Sequence, residues 1–75
     1  MVKLLSFRYH QPVSSEHETF EKAAIAAIYE VEFNSAYPRE IRDGDRVLWQ
    51  RSQGGLVPLQ RIAIEAGHGG FLGFD

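Results

Sequence analysis

Cysteine is absent from this sequence of 75 residues, which excludes disulfide bonds and thiolate metal ligands. A chain of this length buries only about 60% of the surface that its unfolded form exposes, so its hydrophobic core is small. Small domains usually supplement such a core with disulfides, a metal ion or a partner subunit. Because disulfides are excluded, we expect a homo-oligomer or a complex with another protein.

Long hydrophobic runs are also missing. No segment approaches the roughly 20 apolar residues of a membrane span, and the first five residues lack the apolar stretch of a secretory signal. We therefore expect a soluble cytoplasmic protein with no membrane association. The 44% hydrophobic and 24% charged fractions are typical of a chain that folds into a globular domain.

A strong excess of positive charge is lacking as well. The formal net charge is −2 and the isoelectric point is near 5.9. Proteins dedicated to nucleic acid usually carry a basic surface that neutralises phosphates and releases counterions. On composition alone, nucleic acid is therefore a less favoured partner than protein.

Alternating residues at the start of the chain predict a first strand over Val2–Tyr9, with Leu5, Phe7 and Tyr9 sharing the apolar face. We expect Pro12 to end this strand, because proline cannot donate to a strand ladder.

A long helix is predicted next. Ser15 and Glu18 have the spacing of a capping box, which indicates that the helix begins there. Asn34 and Ser35 are poor helix residues and indicate its end. The apolar positions between them recur at helical spacing along one face, and they are Phe20, Ala23, Ala24, Ala27, Ile28 and Val31.

An Asp-Gly dipeptide predicts a hairpin turn between strands over Tyr37–Arg42 and Arg46–Arg51. A two-residue loop would place Ile41 opposite Arg46 and divide the apolar residues between two faces. A three-residue loop unites those residues on one face, so we prefer it. In the hairpin with this loop, the cross-strand pairs are Tyr37 with Trp49, Arg39 with Val47 and Glu40 with Arg46. The apolar face of that hairpin holds Tyr37, Ile41, Val47 and Trp49.

A short second helix is predicted over Pro58–Ala66, with Gly67 beyond its end. The resulting order is β-α-β-β-α, and the fold class is α+β, in which a small three-stranded sheet packs on one long and one short helix. We treat residues 1–75 as a single small globular domain, in which 67–75 form a glycine-rich segment and an apolar tail.

No catalytic or metal-binding arrangement emerges from the residue spacing. His17 and Glu21 lack further ligands for a metal, and Asp43 and Asp45 are turn residues without the other oxygens of a calcium loop. The glycines near the C-terminus are not followed by the lysine of a phosphate-binding loop. We therefore expect no enzyme, no metal and no cofactor.

Arginine is concentrated in the segment Arg39–Arg61, where five arginines outnumber three acidic residues. Such a face could bind an acidic partner or RNA, and within it Arg42 and Arg46 are candidate partner-binding residues. RNA binding also requires aromatic side chains that stack on bases. The predicted register directs Tyr37 and Trp49 to the core, which weighs against nucleic acid.

The apolar tail offers further candidate partner-binding residues in Phe71, Leu72 and Phe74. These residues could complete the core of their own domain or contact another copy, and the sequence does not favour either. The function that we expect is therefore a small non-enzymatic interaction or assembly module that self-associates. The alternative is a nucleic-acid-binding accessory protein that uses the Arg39–Arg61 face.

Overall fold

The structure, a computed structural model, describes residues 1–67 and consists of two β-hairpins, each followed by a helix. The elements are β1 (Val2–Arg8), β2 (Gln11–His17), α1 (Phe20–Phe33), β3 (Tyr37–Asp43), β4 (Arg46–Gln50) and α2 (Val57–Glu65). The α+β class and the two helices agree with the sequence prediction. The three-stranded sheet does not, because the sheet has four antiparallel strands in the order β2-β1-β3-β4.

Strand β2 is the element that the sequence prediction missed. It is an edge strand whose residues are mostly polar and exposed, so it lacks the hydrophobic alternation that identifies a strand. Tyr9 and His10 form the tight turn before it, with φ angles of 53° and 66°. Turns of this kind are usually signalled by asparagine and glycine, and neither is present here.

The start of α1 is corrected accordingly. Ser15 lies within β2, and the helix is capped by Thr19, whose hydroxyl accepts a 3.1 Å hydrogen bond from the Lys22 backbone N–H. Threonine is a favoured residue at this position for the same reason as serine. The predicted end of the helix is confirmed, since Asn34 is its C-cap.

The buried face of β1 is opposite to the predicted one. Val2, Leu4 and Ser6 are buried, whereas Leu5 and Phe7 lie on the other side of the sheet and are partly exposed. Strand β1 is central and carries apolar residues on both faces. Alternation alone therefore cannot decide which face receives the helices.

The register of the second hairpin also differs from the prediction. Gly44 and Asp45 form a two-residue turn, so that Asp43 pairs with Arg46. A bulge in β4 then shifts the pairing by one residue and places Ile41 opposite Trp49 on the buried face. Other residues assigned to this face by the three-residue loop are exposed, namely Tyr37 and Val47.

The core lies between the sheet and α1, and α2 packs against α1. The predicted apolar face of α1 is largely confirmed, because Ala23, Ala24, Ala27 and Ile28 are buried while Val31 is exposed. The small alanine side chains let α1 approach the sheet closely. Neither helix of residues 1–67 is long and apolar enough to cross a membrane.

Candidate functional site on the outer face of the sheet

One face of the sheet has no helix on it in the described part of the chain, and we call it the outer face. The buried residues of α1 and α2 belong to the core on the opposite side. Because residues paired across strands share a face, the register places the outer-face side chains in three rows. The rows are Pro12, Phe7, Tyr37; then Ser14, Leu5, Glu40, Gln50; then Glu16, Lys3, Arg42, Val47.

Two aromatic rings and two arginines lie together at one end of this face. Phe7 on β1 is directly opposite Tyr37 on β3, and these are the two central strands. The guanidinium carbon of Arg39 lies 5.0 Å from the centroid of the Phe7 ring, and that of Arg51 lies 3.8 Å from the centroid of the Tyr37 ring. We call these four residues the arginine–aromatic row.

A bulge in β3 positions the first arginine. The pairing of β3 with β1 skips Arg39, so that Pro38 can be buried while the Arg39 side chain reaches over Phe7. The backbone carbonyl of Arg39 accepts a 2.8 Å hydrogen bond from the Arg51 N–H, which extends the ladder beyond β4. This bond holds Arg51 beside the ring of Tyr37.

The turn between β1 and β2 extends the aromatic surface. Tyr9 is 78% exposed, and with His10 and Ser35 it lines a shallow depression next to the rings of Phe7 and Tyr37. All three of Tyr9, His10 and Ser35 have positive φ angles, between 53° and 66°. This conformation is strained for residues that have a Cβ, and strained residues of this kind are concentrated at binding sites.

The outer face is basic although the chain as a whole is acidic. Four basic side chains lie on it against two acidic ones, a local charge of 4 − 2 = +2, whereas the whole chain has −2. The basic residues are Lys3, Arg39, Arg42 and Arg51, and the acidic ones are Glu16 and Glu40.

The structure separates the arginines that the sequence placed on one face. Arg39, Arg42 and Arg51 lie on the outer face. Arg46 pairs with Asp43, and alternation along β3 puts this pair on the side of the buried Ile41. Arg61 belongs to α2. The remaining candidates, Phe71, Leu72 and Phe74, lie outside the described residues.

Phe7 is the site residue that sequence reasoning assigned to the wrong face. Its position on a strand with apolar residues at both Leu4 and Leu5 indicated that neither face was purely polar. Tyr37 was likewise predicted to be buried, yet it is 53% exposed. Its exposure removes one of the two aromatic side chains on which the register argument against nucleic acid depended, whereas Trp49 is buried as predicted.

Other polar side chains of the described residues make contacts within the fold. Among residues 1–67, no group of three or more acidic, histidine or cysteine side chains is arranged so that it could hold a metal ion. In a small cavity beside the end of α1, the buried Ser6 hydroxyl donates to the Glu30 carboxylate at 3.1 Å. On β2, Ser15 Oγ lies 2.8 Å from His17 Nε2. Both contacts satisfy polar groups within the fold.

Comparison with known proteins gives no match to this chain among family models, curated proteins or solved structures. No family therefore suggests an activity. The functional proposal depends on the geometry and charge of the outer face.

Proposed function

We propose that this chain is a non-enzymatic binding module whose outer face binds single-stranded nucleic acid. The observation that supports this proposal most directly is the arginine–aromatic row. It presents two flat rings and two guanidinium groups on a sheet face on which neither helix of residues 1–67 packs. Proteins that bind single strands combine aromatic rings, on which bases stack, with a basic surface that follows the phosphates.

The spacing of the rings suits consecutive bases. Phe7 and Tyr37 are direct neighbours on adjacent strands, and adjacent strands lie about 4.8 Å apart. This is somewhat longer than the roughly 3.4 Å rise per nucleotide of a stacked strand. A slightly extended single strand that crosses from β1 to β3 can therefore place one base on each ring.

The arginines supply charge complementarity. In the free protein each guanidinium lies over a ring, where an exposed cation–π contact contributes only about 0.5–1 kcal/mol. A base that takes its place releases the guanidinium to contact a neighbouring phosphate. Lys3 and Arg42 lie farther along the sheet, but Lys3 is opposite Glu16 and Arg42 Nε lies 3.4 Å from Glu40 Oε2, so the excess positive charge is concentrated at the arginine–aromatic row.

The same charge pattern disfavours the outer face as a contact with a second copy, since two such faces would bring eight basic groups against four acidic ones. The net negative charge of the chain also limits long-range attraction of nucleic acid. We therefore expect moderate affinity that falls steeply as salt increases.

Fluorescence anisotropy with a labelled short oligothymidine strand tests the proposal. Phe7→Ala and Tyr37→Ala should each raise the dissociation constant about 5- to 150-fold, which corresponds to about 1–3 kcal/mol for each stacked base. Phe7→Tyr should bind like the original chain because it keeps the ring. A duplex of the same length should bind more weakly, because its bases are already stacked inside the helix.

Phe33→Ala is the matched control. Phe33 is an aromatic residue with 60% exposure, but it lies on α1, away from the outer face. Its substitution should leave the dissociation constant unchanged. An absence of binding at low salt would end the proposal, and so would a Phe33→Ala variant that loses as much affinity as Phe7→Ala.

A further inference from the structure

The small cavity beside the end of α1 lies on the side of the sheet opposite to the outer face. Its volume is about 100 Å³, and the residues that line it include Ser6, Arg8, Glu30 and Asn34. Ser6 is buried, whereas Arg8 and Asn34 are exposed. The cavity therefore has its floor at Ser6 and its mouth at Arg8.

Two opposite charges line this cavity without forming an ion pair with each other. The half-buried Glu30 carboxylate accepts the hydrogen bond from the Ser6 hydroxyl at 3.1 Å. This contact uses one of about four acceptor positions on the two carboxylate oxygens. Neither Glu30 nor Arg8 takes part in an ion pair within residues 1–67. Among these residues, the cavity thus presents an unpaired carboxylate at its floor and an unpaired guanidinium at its mouth.

Helix α1 adds negative potential at the floor. Glu30 lies in the last turn of α1, and this turn carries no basic residue. The C-terminal end of a helix has a partial negative charge that favours a cation. An ammonium group beside Glu30 would interact favourably with both the carboxylate and the helix end.

We propose that this cavity binds a small free amino acid of the size of glycine through both of its charged groups. The ammonium group donates to the Glu30 carboxylate, and the ligand carboxylate accepts from the Arg8 guanidinium. Ser6 and Arg8 are two residues apart on β1, so their Cα atoms lie about 7 Å apart. Glycine with a hydrogen bond of about 2.9 Å at each end joins groups about 8–9 Å apart. The long side chain of Arg8 can span this difference.

The volume of the cavity limits the size of the ligand. A cavity of about 150 Å³ holds benzene, and glycine has one non-hydrogen atom fewer than benzene. Its carboxylate extends into the open mouth, so the rest of the molecule fits in about 100 Å³. The apolar side chains of Leu4 and Val13 also line the cavity and offer no partner for a further polar group. Amino acids with large side chains exceed this volume.

An NMR titration of the isotope-labelled full chain with glycine tests the site. We expect saturable shifts of the amide signals of residues that line the cavity. Glycinamide lacks the carboxylate and resembles the N-terminus of a peptide, and acetate lacks the ammonium group. Each should bind about tenfold or more weakly than glycine, because one charged contact is lost. L-Leucine should not bind, because its side chain is too large for the cavity.

Variants of the two charged residues test their roles. Glu30→Gln and Arg8→Gln should each raise the dissociation constant of glycine about tenfold or more. Glu30→Gln keeps an oxygen that accepts from Ser6, and circular dichroism establishes that each variant is folded. The matched controls are Glu32→Gln, on an exposed position of α1, and Arg46→Gln, on an exposed position of β4. Both should bind glycine like the original chain.

The absence of a saturable change with glycine would overturn the proposal. Glycinamide that binds as tightly as glycine would also overturn it, because the site would then recognise an ammonium group alone. Equal binding of L-leucine would contradict the size limit and place the ligand outside the cavity. These three comparisons use the original chain, so they do not depend on the folding of any variant.

Discussion

Tyr9 and His10 occupy a turn conformation that residues with a Cβ rarely adopt. Their φ angles of 53° and 66° are left-handed, which costs about 1–2 kcal/mol for each residue that has a side chain. The turn nevertheless places the exposed ring of Tyr9 beside Phe7 and Tyr37. Under the proposed function, the ring of Tyr9 extends the arginine–aromatic row, which would favour retention of a strained turn.

Replacement of this turn by Tyr9→Asn and His10→Gly should therefore stabilise the fold. We expect the free energy of unfolding to rise by about 1 kcal/mol, because asparagine and glycine accept left-handed backbone angles readily. Urea denaturation followed by circular dichroism measures the change. Tyr9→Phe, which leaves the backbone requirement as it is, should have almost no effect. A loss of stability in the double variant would show that contacts of the original side chains outweigh the strain.

At the scale of elements, two residues can be compared as the cap of α1, namely Ser15, which the sequence predicts, and Thr19, which the structure shows. Thr19→Ala removes the hydroxyl that accepts the Lys22 N–H and should lower the free energy of unfolding by about 1 kcal/mol. Ser15→Ala should cost less, since Ser15 lies in β2 and its hydroxyl bonds to His17. Urea denaturation of the two variants compares these losses. A larger loss for Ser15→Ala would contradict the observed helix start.

The same elements show what the sequence could predict. The alanine-rich face of α1 and the two-helix α+β class follow from helical spacing, which depends on the chain itself. Strand β2 could not be predicted, because a polar edge strand is defined by its partner rather than by its own residues. The residues of the outer face were not predicted from the sequence for a related reason. Both β-bulges and the face of β1 depend on pairing between strands, and these features decide where Phe7 and Tyr37 lie.

At the scale of the whole molecule, the small core makes stability sensitive to single methyl groups. Ile41 is fully buried between β1 and β4, so Ile41→Val should lower the free energy of unfolding by about 0.5–1.5 kcal/mol. For a domain of this size each kcal/mol corresponds to roughly 4–8 °C in melting temperature. Val47→Ala on the outer face is the control and should change the melting temperature less. Thermal denaturation measures both, and equal losses would show that the two faces are similarly packed.

The sheet is assembled from two local hairpins that meet only where β1 pairs with β3. Hairpins form within microseconds, whereas this meeting must bring together strands that are separated by β2 and α1, and such non-local pairing slows folding. Phe7 belongs to one hairpin and Tyr37 to the other, so neither hairpin alone contains the arginine–aromatic row. A strand of nucleic acid bound across both rings would therefore connect the two hairpins. It would slow the separation of β1 from β3, the pairing that joins the two halves of the sheet.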